Sequence, residues 1–261
     1  MKKVRLSQGK SLLPSLCTTA SMFWGFFSIV RSINGDYYIA SWAILVAGVF
    51  DMLDGRIARM TRTMSDFGKE YDSLVDLASF GLAPAILIYT WSLSQFKNVG
   101  WFFAFVYFAC AALRLARFNV QSSEKKGFMG LPSPAAANLL TTFVLLNHYF
   151  HGPGPIRSLA ALILTPLMGV LMVSHIGYRS FKEIDVNGRN SFYVLIGAAV
   201  LAGLIAIEPD IMMFVGFSIY ALSGPVGSLL ARRKTRPPSA RSRRPQVLSL
   251  TPNETHKETG S

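Results

Sequence analysis

The sequence predicts an all-α integral membrane protein, a polytopic bundle of about eight transmembrane helices. About half of its 261 residues are apolar and only 15% are charged, whereas soluble domains usually carry about a quarter charged residues. The apolar residues fall into stretches of about 20, the length that an α-helix needs to cross a bilayer. Most basic residues lie between these stretches, as in the connections of a membrane protein.

Eight apolar stretches are long enough, or nearly so, to span a bilayer. They lie at residues 14–32, 38–58, 70–92, 99–119, 133–150, 157–175, 191–207 and 210–230. The last two are separated by the turn Glu208–Pro209–Asp210 and are predicted to form a helical hairpin. We therefore expect a membrane core at 1–190 and an additional hairpin at 191–230. A basic tail at 231–261, rich in Arg, Pro and Ser, is predicted to be disordered and cytoplasmic.

The positions of the 26 Lys and Arg residues predict the orientation of the helices. Only Arg31, Lys97 and Arg157 fall in the connections on one side of the membrane, and all the others fall on the opposite side. Since basic connections stay in the cytoplasm, both termini are predicted to be cytoplasmic. The same distribution argues against a nucleic-acid-binding groove despite the net charge of +12. We expect the first apolar stretch to remain as a membrane helix, because no small-residue cleavage site follows it.

Four aspartates stand out on the second and third predicted helices. Asp51 and Asp54 are three residues apart, and Asp72 and Asp76 are four apart. At these spacings each pair shares one face of its helix. Because the chain reverses between the two helices, we expect all four carboxylates to lie at a similar depth, in the cytoplasmic part of the bilayer.

Four carboxylates at membrane depth require neutralisation, since each unpaired charge costs about 3 kcal/mol or more there. Two divalent cations would cancel the four negative charges, and ligands that are all oxygen favour Mg²⁺ or Mn²⁺. Two such ions about 4 Å apart are a known device for displacement at phosphorus. The alternatives are a structural polar network and a proton or ion pathway through the membrane.

Small residues flank the aspartates on both helices. Gly55 and Ala58 accompany the first pair, and Gly68 precedes the second. Such residues let a bulky polar ligand approach the backbone between helices, but close helix packing uses the same residue types. Beside four aspartates, we favour a ligand cleft.

Together these residues resemble the signature of the CDP-alcohol phosphatidyltransferase family, D-x2-D-G-x2-A-R-x8-G-x3-D-x3-D. The eight matching positions are Asp51, Asp54, Gly55, Ala58, Arg59, Gly68, Asp72 and Asp76. The resemblance implies a homodimeric membrane enzyme with six shared helices, so that the last two spans are an addition. It also implies that Asp51, Asp54, Asp72 and Asp76 hold two divalent cations, and that Asp76 removes the proton from an acceptor hydroxyl. The CDP site would be formed by Asp54, Gly55, Ala58, Arg59 and Gly68.

Four further segments resemble the phosphatidylserine synthase branch of this family. They are RLARFN at 114–119, FMGLPSPAAA at 128–137, MVS at 172–174 and SFKE at 180–183. The resemblance implies L-serine as the acceptor, and an arginine is a good partner for its carboxylate. The candidate acceptor residues are Arg114, Arg117, Asn119 and Ser133. The two arginines could instead be ordinary basic anchors. Members of this branch often carry Asn where this chain has Ser15 and Ser21, so a polar contact there is in doubt.

The resemblance therefore implies an enzyme that transfers a phosphatidyl group from CDP-diacylglycerol to L-serine and releases CMP. We expect it in a bacterial inner membrane with its active site facing the cytoplasm. One alternative keeps the chemistry with choline, inositol phosphate or glycerol 3-phosphate as acceptor. Another is a metal-ion transporter, which would spread its carboxylates over several non-adjacent, broken helices.

Overall fold

The computed structural model describes residues 2–61, 66–120, 128–150, 154–178 and 207–234, and this part of the chain is almost entirely helical. The helices are α1 (Lys2–Ile33), α2 (Tyr37–Thr61), α3 (Asp66–Asp76), α4 (Ala83–Trp91), α5 (Lys97–Val120), α6 (Ser133–Tyr149), α7 (Pro155–Val173) and α8 (Pro209–Lys234). A π-helical turn at Leu77–Leu82 joins α3 to α4, and a 3-10 turn at Leu93–Phe96 joins α4 to α5. Two short strands, β1 (Phe128–Met129) and β2 (Gly177–Tyr178), pair antiparallel.

Six helical segments of the described chain are long and apolar enough to cross a bilayer. They are Ser15–Ile33, Tyr37–Met60, Phe67–Trp91, Leu93–Val120, Pro155–Val173 and Pro209–Ser228. The predicted fold class, an all-α polytopic membrane bundle, is confirmed. The predicted span at 191–207 lies almost wholly outside the described residues, so the hairpin and the count of eight stay predictions. The predicted tail also lies largely outside them, although α8 continues to Lys234.

Helices α1 and α2 form an antiparallel pair around a tight turn. Gly35 adopts a φ of +84°, which favours glycine. Beside it, Arg31 forms a 2.9 Å ion pair with Asp36. Further along the pair, the Ser21 hydroxyl donates to the Ala47 carbonyl at 3.0 Å. The described contact of the Ser21 hydroxyl is therefore a helix-packing contact.

Helix α6 corresponds to the fifth predicted span and lies inside the bundle. It packs against α2, α4, α7 and α8. Its buried residues include two adjacent alanines, Ala136 and Ala137, which allow close helix approach. At 17 residues, α6 is shorter than the six segments long enough to cross a bilayer, and other helices contact it on several sides.

The strand pair fixes the start of α6 against the end of α7. Gly130 has a φ of +85° and donates its amide to the Ile176 carbonyl at 2.9 Å. A Cβ at this position would collide with the Met172 carbonyl oxygen, so both the conformation and the space require glycine. Leu131 adds a 3.0 Å bond to the Leu171 carbonyl. These contacts hold Ser133, the first residue of α6, at the same end of the bundle as the aspartates.

Candidate active site

Three of the four predicted aspartates form one tight cluster. Asp51 of α2 and Asp72 and Asp76 of α3 each offer a carboxylate oxygen, and these oxygens all lie within 4.8 Å of one another. The carboxyl groups of Asp51 and Asp76 are in hydrogen-bonding contact. Two carboxylates this close require a proton or a cation between them, because the repulsion of two bare anions is large. Three of the four aspartates that the helical spacing was expected to bring together therefore lie in one cluster.

Asp54 lies beside this cluster rather than inside it. Its side chain is 5% exposed and forms a hydrogen bond with the Thr18 hydroxyl of α1. It also interacts electrostatically with Asp72 and Asp51. Asp54 is thus close to the site but held by a different helix. Thr18 carries no signal of this contact in the sequence, because nothing in its local pattern indicates which side of α1 faces α2.

Two carboxylate oxygens at the site are buried without a partner. They are Oδ2 of Asp54 and Oδ1 of Asp76, neither of which accepts a hydrogen bond from any described residue. Buried polar atoms nearly always have a partner, so each such atom requires an explanation. Oxygen ligands of full negative charge fit a hard divalent cation such as Mg²⁺ or Mn²⁺. The four aspartates therefore suit a metal centre.

The glycine at position 55 opens onto space instead of packing against a helix. Within the described chain, a Cβ added to Gly55 would meet one heavy atom within 4 Å, Nη1 of Arg59 at 3.6 Å. By contrast, a Cβ at Gly25 would come within 2.9 Å of the Ser79 Cα. Gly25 is therefore a packing glycine, whereas Gly55 has space for a side chain beside it in the described part of the chain. Ala58 and Gly68 are half-buried nearby on α2 and α3, and Arg59 is exposed.

Among the acceptor candidates, the structure brings Arg114 and Ser133 together. The guanidinium of Arg114, on α5, donates to the Ser133 hydroxyl at 2.5 Å. The same guanidinium is largely buried and interacts electrostatically with Asp76. Its Nε is buried and has no partner among the described residues. Arg114 therefore has an unused donor close to the carboxylate cluster.

The other two acceptor candidates bond to neighbouring helices. Arg117 donates to the Val173 carbonyl at 3.0 Å, at the end of α7. Asn119 donates to the Ser73 hydroxyl at 3.0 Å and to Glu70 at 3.4 Å, and so links α5 to α3. Both side chains are used in contacts between helices.

The π-helical turn that follows Asp76 was not predicted from the sequence. A π-turn inserts one extra residue into a helix and is often found at functional sites. Here the Phe80 carbonyl, within the turn, accepts a 2.9 Å bond from the hydroxyl of Tyr107, which is fully buried on α5. Tyr107 lies two helical turns before Arg114 on α5. A six-residue π-turn has no pattern that distinguishes it from α-helix in a single sequence.

Comparison with known proteins shows that the sequence matches one family. Residues 11–177 match the model of the CDP-alcohol phosphatidyltransferase family. Over 215 residues the chain is 35% identical to a CDP-diacylglycerol–serine O-phosphatidyltransferase of Helicobacter pylori, a match that covers 82% of this chain and 89% of the relative.

Two archaeal proteins are similar at comparable identity. A CDP-diacylglycerol–serine O-phosphatidyltransferase of Methanocaldococcus jannaschii is 40% identical over 183 residues, which cover 69% of this chain and 80% of the relative. An archaetidylserine synthase of Methanothermobacter thermautotrophicus is 39% identical over 168 residues, which cover 64% of this chain and 69% of the relative. The matched family region ends before α8.

Proposed function

Because the chain belongs to the CDP-alcohol phosphatidyltransferase family, we propose that it transfers the phosphatidyl group of CDP-diacylglycerol to the hydroxyl of L-serine and releases CMP. One observation carries this proposal. A half-buried arginine, Arg114, whose buried Nε–H has no partner among the described residues, lies beside a carboxylate cluster suited to metal. Such a pair of groups is needed to bind an amino acid next to a pyrophosphate. The names of the relatives support serine as the acceptor.

Asp51, Asp54, Asp72 and Asp76 are the proposed ligands of two divalent cations, Mg²⁺ or Mn²⁺. The unpartnered oxygens of Asp54 and Asp76 and the contact between Asp51 and Asp76 support this assignment. When bound, such ions supply charge compensation for the pyrophosphate and its leaving group.

Gly55, Ala58 and Gly68 are the proposed floor of the CDP site. The open space at Gly55 supports close approach of a ligand to the backbone of α2. Arg59, whose guanidinium borders that space, is suited to pair with phosphate oxygens. In this arrangement the acyl chains of the substrate remain in the lipid while its nucleotide lies over the end of α2.

Asp76 is the proposed general base. It removes the proton from the serine hydroxyl, the serine oxygen forms a bond to the phosphorus that carries the lipid, and the bond from that phosphorus to CMP breaks. We propose direct transfer in one displacement. Because aspartate is a weak base, the alignment of hydroxyl and phosphorus must contribute much of the acceleration. The carboxylate of serine pairs with Arg114, which Ser133 orients through its hydrogen bond.

In its cellular setting, the enzyme is proposed to lie in a bacterial inner membrane as a homodimer, with both termini and the active site on the cytoplasmic side. The concentration of basic residues on one side of the spans supports this orientation. The proposed division keeps 1–190 as the core, 191–230 as an added hairpin and 231–261 as a basic tail.

An acceptor assay on the purified protein in detergent tests the proposal. CDP-diacylglycerol is supplied with Mg²⁺ or Mn²⁺ and with one radiolabelled alcohol at a time: serine, choline, inositol phosphate or glycerol 3-phosphate. We expect incorporation of serine alone, with CMP released in equal amount. Incorporation of another alcohol without serine would overturn the acceptor assignment. Metal uptake into vesicles without CMP release would instead favour a transporter.

A further inference from the structure

The last helix, α8, lies beyond the matched family region but packs onto the acceptor side of the site. Phe214, Phe217 and Tyr220 pack against a buried cluster that includes Tyr107 and Leu131. Tyr107 shares α5 with Arg114, and Leu131 precedes Ser133 by two residues. Helix α8 therefore contacts the same layer of the bundle that holds the Arg114–Ser133 pair.

A tyrosine pair fixes α8 in one position. The Tyr178 hydroxyl donates to the Ala221 carbonyl at 3.0 Å, and the rings of Tyr178 and Tyr220 lie 5.8 Å apart. Gly224 faces the Tyr178 ring so closely that a Cβ would collide with it. Burial raises the pKa of Tyr178 to about 12, so this hydroxyl remains a donor at neutral pH. Because Tyr178 belongs to β2, the strand pair and α8 are connected.

Tyr220 packs on the cluster that contains Tyr107 and Leu131, close enough to Arg114 for the two side chains to interact. The two side chains interact electrostatically, as Arg114 also does with Asp76 and Tyr107. Ser133 holds one terminal nitrogen of the guanidinium, while Nε has no described partner. Among the described residues, the Ser133 hydroxyl is the one hydrogen-bond partner of the Arg114 guanidinium. Tyr220 is a second polar neighbour of the same group. A second polar neighbour narrows the orientations open to a planar guanidinium.

We propose that Tyr220 is a positioning residue for acceptor selection: it holds the Arg114 guanidinium so that Nε–H faces the carboxylate of the acceptor. This inference rests on the proposed function, since it deepens the role given there to Arg114. A helix outside the matched family region therefore contributes to the choice of alcohol.

The Tyr220→Phe variant tests this role, because it removes the hydroxyl and keeps the ring in its packing. We expect the KM for serine to rise about fivefold, the effect of losing one neutral hydrogen-bonding group. The KM for CDP-diacylglycerol and kcat should change by less than about twofold. The preference for serine over ethanolamine, which lacks the carboxylate, should narrow by the same factor. Tyr38→Phe is the matched control, since Tyr38 contacts His148 at the opposite end of the bundle.

A purely structural role would give a different result. Tyr220→Phe would then lower the thermal midpoint and affect both substrates alike, with no change in the serine-to-ethanolamine ratio, and the proposal would be overturned. An unchanged KM for serine would also overturn it. If the wild-type protein takes another alcohol in place of serine, the KM of Tyr220→Phe for that alcohol separates the role of Tyr220 from the assignment of serine as acceptor. With inositol phosphate or glycerol 3-phosphate, whose phosphate would replace the carboxylate at Arg114, a raised KM would support the role of Tyr220 although the serine assignment had failed, and an unchanged KM would overturn both.

Discussion

The donor half and the acceptor half of the site are built in different ways. The donor half comes from one continuous stretch, in which the end of α2 and the whole of α3 supply all four aspartates and the small residues beside them. The acceptor half combines Arg114 of α5, Ser133 of α6 and Tyr220 of α8, which are far apart in the chain. Changes in the first half should therefore affect chemistry and nucleotide binding, whereas changes in the second should affect the choice of alcohol.

Removal of divalent cations should have the largest effect. We expect EDTA to abolish CMP release, because without cations the clustered carboxylates repel both one another and the pyrophosphate. Added Mg²⁺ or Mn²⁺ should restore turnover, as measured by CMP release in detergent. Turnover that persists in excess chelator would show that the donor half is not a metal centre.

Substitution of the proposed base should be nearly as severe. We expect Asp76→Asn to reduce kcat about 1000-fold, within the usual range for loss of a general base. Asp36→Asn is the matched control, since Asp36 forms an exposed ion pair at the other end of the bundle and such pairs contribute little. Full CMP release by Asp76→Asn would contradict the assignment of the base.

Substitution of the two arginines of α5 should have different effects, because we place only Arg114 in the acceptor half. Arg114→Lys should raise the KM for serine about 30-fold, because lysine keeps the charge but loses the planar set of donors. Arg117→Lys should leave this KM within about twofold, since Arg117 contacts the Val173 carbonyl. Steady-state kinetics with each substrate varied in turn measures both effects. Equal effects of the two variants would show that both arginines bind the acceptor.

The smallest effect is expected when glycine is replaced by alanine at either of two positions, Gly55 and Gly25. Gly55→Ala should raise the KM for CDP-diacylglycerol about fivefold while the thermal midpoint stays unchanged, because the added Cβ would enter the open space that we propose for the CDP group. Gly25→Ala should lower the free energy of unfolding by about 1–3 kcal/mol through overpacking against Ser79, with both KM values unchanged. If Gly55→Ala destabilised the protein without affecting KM, position 55 would be a packing site.

Much of the donor half could be predicted from the sequence, because its residues lie close together in the chain. Helical periodicity places residues three or four apart on one face, so Asp51, Asp72 and Asp76 were expected together and lie together. Asp54 is the partial exception, since its contact with Thr18 depends on how α1 packs against α2. The contact between a hydroxyl on one helix and a carboxylate on another depends on helix rotation, which composition and spacing do not specify.

The acceptor half was predicted less completely. Arg114, Arg117 and Asn119 lie within six residues of one another and looked equivalent, yet among these three described residues Arg114 is the one that interacts electrostatically with Asp76. Arg117 and Asn119 contact α7 and α3 instead. The π-turn after Asp76 and the tyrosine pair at α8 gave no sequence signal, because both depend on packing between segments distant in the chain.

The sequence by itself determined that this protein is a helical membrane bundle with a cluster of aspartates on adjacent spans. It could do so because hydrophobic length and helical period are properties of neighbouring residues. Only the tertiary structure decided which arginine joins that cluster, which hydroxyls orient its members, and that the last helix packs against the acceptor side. These contacts depend on how whole helices rotate and pack against one another, which a local sequence pattern does not specify.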